Sequence, residues 1–133
     1  MTKKALAPII SVGGGDVDVF TDVEQAEAYF CYSDAISDEL VLLDSSGQFL
    51  RAYESGKYRT PFELDPGRAP APEYLADQLA RWISRTRDRL DYGDLDPETA
   101  ELPELIEAVR TARRIGPEPT FRNEIRKIFR RGL

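Results

Sequence analysis

The sequence predicts an α+β fold: a small, mostly antiparallel β-sheet with one short helix in the N-terminal half, followed by three C-terminal helices. Three observations carry this. Asp16-Val17-Asp18-Val19-Phe20 alternates acidic and apolar residues, the period-2 signature of a strand with one face buried. Two β-rich runs, 39–43 and 48–53, flank the turn Asp44-Ser45-Ser46-Gly47. After the proline-rich stretch DPGRAPAP at 65–72, the apolar spacing changes from the strand period to the helical one. The chain reads as a single domain over 1–133: strand-rich from 8 to 64, a connector at 65–72, and helical from 73 to 131.

In chain order, Ile9 to Val12 is a short apolar run that Gly13-Gly14-Gly15 turns into the strand 16–20. Thr21-Asp22-Val23-Glu24 has the form of a capping box, with Thr21 as the cap and Glu24 as its reciprocal partner. Val23, Ala26 and Phe30 then recur at helical spacing, which makes 22–30 a short amphipathic helix. A loop over 31–38 leads into the hairpin. Tyr58 to Leu64 could add a third strand to it; Pro61, which has no amide to donate, either puts that strand at a sheet edge or breaks it. In the second half, Leu75, Leu79, Trp82, Ile83 and Leu90 form one helical stripe. Leu102, Leu105, Ile106, Val109 and Ala112 form the next, with Pro103 in its first turn and Gly116 ending it. Phe121, Ile125, Ile128 and Phe129 form a last one.

Composition narrows the chemistry. The 133 residues include one cysteine and no histidine, which removes intrachain disulfides, cysteine metal clusters and every histidine-dependent triad. No apolar run approaches the roughly 20 residues of a membrane span. The apolar residues near the start follow Ala5-Leu6-Ala7 rather than precede it, the wrong order for a signal peptide, so the expected location is the cytoplasm. Charge is unevenly placed: residues 1–65 hold 5 Lys/Arg against 12 Asp/Glu, while 110–133 hold 8 against 2.

Each motif has a specific and a plain reading. A phosphate-binding loop wants its glycines ahead of a helix, and here Asp16 and Asp18 follow and would repel an anion. The Asp16-x-Asp18 pair lacks the buried strand that precedes a phosphatase nucleophile. A calcium loop beginning at Asp16 would need an oxygen ligand where Phe20 stands. Trp82 with Arg81, Arg85 and Arg89 could stack on nucleic acid, but Trp82 lies on the core stripe and the chain is acidic overall. The plain reading prevails at each: turn, solvated strand face, core tryptophan. No catalytic residue, metal ligand or cofactor is expected.

Gly14-Gly15-Asp16-Val17-Asp18-Val19-Phe20, Val23-Glu24-x-Ala26-Glu27-x-Tyr29 and Asp44-x-x-Gly47-x-x-Leu50 together resemble the start of a group of small bacterial proteins. That group is similar to immunity proteins of polymorphic toxin systems. The resemblance covers residues 11–53; where a Glu-Pro-like segment would follow the helix, this chain has Cys31-Tyr32-Ser33. It implies a non-catalytic protein that neutralises a toxin by occlusion, with a protein partner and neither nucleic acid nor membrane as target. Many toxins that cut nucleic acid are basic, so acids are the expected contacts. Asp16, Asp18, Asp22, Glu24 and Glu27 come first, then Asp34, Asp38 and Glu39, with Tyr29 and Tyr32 as aromatic anchors. The alternative is a small enzyme or ligand-binding protein working with carboxylates, which would need a concave pocket and carboxyl groups with separated pKa values.

Overall fold

A computed structural model describes residues 4–30, 35, 39–54 and 60–115. Strands β1 (Ile9–Gly13), β2 (Asp16–Phe20), β3 (Leu40–Leu43), β4 (Phe49–Ala52) and β5 (Phe62–Leu64) form one sheet in the order β2-β1-β3-β4-β5. Every neighbouring pair is antiparallel. Helix α1 (Val23–Tyr29) follows β2, and helices α2 (Pro72–Thr86) and α3 (Leu102–Thr111) follow the sheet. A second, two-stranded ladder joins β6 (Leu90–Asp91) to β7 (Arg113–Arg114). The fold is α+β, as expected.

Both faces of the sheet are covered, which explains a run such as Leu40-Val41-Leu42-Leu43 with no polar alternation. On one face Ile10, Val17, Leu43 and Phe49 pack with Leu75, Leu79 and Ile83 of α2 and Leu105 and Ile106 of α3. On the other, Ile9, Phe20, Leu42, Leu50 and Phe62 pack with Ala26 of α1 and with Ala35. The helical half thus closes the core of the strand-rich half.

Three expectations need correction. Asp22, not Thr21, caps α1: its carboxylate accepts from the Gln25 amide at 2.8 Å, and the Gln25 side chain accepts from the Thr21 amide at 2.6 Å. The box is shifted by one residue because aspartate is as strong a cap as threonine and Gln25 can reciprocate. Helix α2 stops at Thr86 instead of running to Leu90. The Thr86 hydroxyl donates to Trp82 O at 2.7 Å, and the Arg89 amide closes a turn onto Thr86 O at 2.9 Å. That turn frees Leu90 to pair with Arg114. Helix α3 ends at Thr111, ahead of Gly116, because Ala112 is extended and Arg113 enters β7. Among the described residues there are two C-terminal helices; the third, with Phe121 to Phe129, lies outside them.

Candidate functional site

Gly14 and Gly15 have φ of 59° and 86° and join β1 to β2 as a two-residue turn. Positive φ at both central residues is the type I′ pattern, which glycine accommodates without strain. The glycines therefore serve a hairpin and face no helix N-terminus. Because β2 is an edge strand and Val17 faces the core, Asp16 and Asp18 project from the opposite side of the strand and are exposed. Asp16 lies opposite Gly13, and Asp18 lies opposite the buried Ser11.

Strand β2 then passes through Thr21 and Asp22 into α1, which packs back across the Phe20 side of the sheet. A cleft of about 430 Å³ opens where the two diverge, lined by Asp18, Val19, Phe20, Gln25, Ala28 and Tyr29. Tyr29 is 67% exposed, and its ring rests against Phe20 at 5.3 Å and Phe30 at 4.9 Å between centroids. It is held in place yet open to a partner. Asp18 is exposed yet contributes to the lining of the cleft. Desolvation there, and secondarily the Asp16 charge, hold it above the ordinary carboxyl range.

The predicted contact residues thus separate. Asp16, Asp18 and Tyr29 border one recess or the strand leading to it, and Asp22 and Glu24 are exposed at the start of α1. Asp22 is engaged as the cap. Glu39 is exposed at the end of the sheet that carries the Gly14–Gly15 turn, since its neighbour Leu40 pairs with Gly13. Glu27 belongs to the framework: it is half-buried, its carboxylate accepts from the Phe62 amide at 3.0 Å, and its carbonyl accepts from the Thr60 amide at 3.1 Å. Those bonds tie α1 to the strand at the far edge of the sheet. Tyr32, Asp34 and Asp38 lie outside the described residues.

Gln25, which lines the recess and completes the cap, is absent from the sequence-based set. Nothing in its spacing distinguishes it from any exposed helical glutamine. A second cleft of about 480 Å³ lies between the N-terminal segment and α3, lined by Ala7, Pro8, Thr21, Ser45, Ile106 and Arg110 among others. Its charged rim is already satisfied, with Arg110 on Glu107 at 2.6 Å. The arginines weighed for nucleic acid are also engaged: Arg81 pairs with Asp77 at 2.9 Å, and Arg85 donates to Gly15 O at 2.9 Å. Trp82 packs, half-buried, against the core. Among the described residues no three His, Cys, Asp or Glu side chains converge on a metal-sized point, and no helix is long and apolar enough to cross a membrane. The chain matches no protein-family model, no curated protein and no solved structure.

Proposed function

We propose that this chain is a non-catalytic binding protein of the immunity type, which occludes a basic toxin domain with the face formed by β2 and the start of α1. The observation that carries the reading is the company kept by Tyr29: an exposed, packed aromatic residue bordering a recess with Asp18, on a strand that also carries the exposed Asp16. Pre-organised aromatic anchors beside like-signed charge are what a high-affinity protein contact needs, with tyrosine supplying desolvated area and the acids steering encounter. The resemblance of residues 11–53 to immunity proteins points the same way. Capture from source-cell lysate with the tagged protein, at low and high salt, tests it. A stoichiometric basic partner that is lost at high salt, and lost again with Tyr29→Ala, is the expected result.

The raised Asp18 carboxyl favours a second reading, a carboxylate enzyme or small-ligand protein. Its difficulty is that among the described residues Asp18 is the one carboxylate lining the recess, whereas acid–base chemistry at carboxylates uses two groups in contrasting environments. A lysate that yields no partner at either salt would shift the assignment to this reading.

A further inference from the structure

The geometry points to strand addition at the free edge of β2 by an extended segment of a partner protein, bearing lysine or arginine at alternate positions. The inference rests on the acidic-face reading above and specifies how that face is used.

The register fixes which backbone groups are free. A two-residue turn makes Gly13 and Asp16 a hydrogen-bonded pair, and antiparallel ladders alternate from there. Asp16, Asp18 and Phe20 therefore turn their amides and carbonyls toward β1. Val17 and Val19 turn theirs outward, and among the described residues nothing pairs with them. These free groups recur every second residue, roughly 6.8 Å apart, a spacing that another strand reproduces. The cleft beside Val19 leaves room on the Asp18 side for side chains of an added strand.

Side chains select the occupant. An added antiparallel strand places its residues opposite Asp16 and Asp18 in non-hydrogen-bonded pairs, where side chains approach most closely. Basic residues there gain Asp16, Asp18 and the face of the Tyr29 ring. A second copy of this chain is disfavoured, since pairing β2 with β2 sets aspartates against aspartates. On the other side, Val19 is only half-buried against the helical layer, so the added strand should place apolar residues there. The expected occupant alternates basic and apolar residues.

The test probe is a capped heptapeptide of alternating lysine and valine, added at millimolar concentration to the isotope-labelled protein. In the antiparallel pairing its valine amides bond to β2 and its lysine amides point away. Slowed amide exchange at Val17 and Val19 is expected. N-methylation of the valine amides should weaken binding by about tenfold or more, while N-methylation of the lysine amides should leave it unchanged. Val19→Pro, which removes an outward donor and no bond to β1, should give the same loss with an unchanged circular dichroism spectrum. Equal tolerance of both methylations, or no protection at Val17 and Val19, overturns strand addition; salt-sensitive binding that survives would leave the acidic-face reading standing. Equal affinity for a glutamate–valine peptide would overturn the acidic face and this inference with it.

Discussion

Two hairpin turns in this protein pair glycine with aspartate and put the pair to opposite use. At the β3–β4 turn, Asp44 is 1% exposed. Its Oδ1 accepts from the Ser46 amide at 2.9 Å, the Ser46 hydroxyl at 2.7 Å and the Gln48 amide at 3.0 Å, and its Oδ2 accepts from the Leu6 amide at 3.1 Å. Gly47, with φ of 89°, lies so close to the start of α2 that an added methyl group would sit 2.6 Å from Pro72 Cα. At the β1–β2 turn, a methyl group on Gly14 or Gly15 would meet nothing within 4 Å, and Asp16 and Asp18 face water. The difference is one of position. Strand β3 is central, so its turn is met by the N-terminal segment and by α2, whereas β2 is an edge and its turn protrudes. What a turn aspartate does is decided by what docks on the turn.

The closed turn should fail hardest when changed. Asp44→Ala leaves three amides and a hydroxyl without their acceptor in a buried site, and a loss of about 3 kcal/mol in urea denaturation is expected. Asp44→Asn should cost less, because one oxygen can still serve the Ser46 and Gln48 donors while the new amide faces only Leu6. Gly47→Ala combines a left-handed backbone with overlap against Pro72 backbone atoms, which a side-chain rotation cannot relieve. About 3 kcal/mol is expected there too. A loss under about 1 kcal/mol at either position would abolish the contrast between the turns.

Gly14→Ala sets the scale for the open turn. With φ of 59° and open space around it, alanine incurs only the left-handed penalty, about 1 kcal/mol. Gly14→Asn should be close to neutral, since asparagine followed by glycine suits this turn. An alanine penalty as large as that of Gly47→Ala would mean that the open turn is packed after all. Arg85, which reaches the Gly15 carbonyl, would be the first group to suspect.

The two turns were unequally legible. Both hairpins could be placed from alternation and turn residues, because those signals are local. The burial of Asp44 could not, because its Leu6 partner lies far away in sequence and nothing local announces it. Strand order is equally non-local: β1 pairs with both β2 and β3, which leaves β2 at the edge and opens its backbone groups. The site inherits this limit. Asp16 and Asp18 could be read as outward-facing from period 2 alone, whereas Glu27 looked like one more helix-face acid until Phe62 and Thr60 proved to be its partners. Helix ends were missed for a related reason. Leu90 and Ala112 fit their helical stripes, but the β6–β7 ladder takes the chain out of the helix beside both.

The mildest change asks whether the open face costs the fold anything. The Asp18 carboxyl binds its proton more tightly in the folded state than in the unfolded one, so its ionised form opposes folding. That opposition is absent below the ordinary carboxyl range, appears as pH rises through it, and is complete above the raised folded-state value. Asp18→Asn should therefore raise Tm by about 1 °C at pH 7, where solvent screening keeps the effect small, and leave it unchanged near pH 3. Asp16→Asn should give a weaker shift of the same sign, since the Asp16 charge is the lesser of the two causes acting on Asp18. A gain that persists at pH 3 would trace to packing in the cleft rather than to charge. A gain confined to neutral pH would mean that Asp18 is held in a site where folding alone disfavours its charge, and a cationic partner would relieve that penalty on binding.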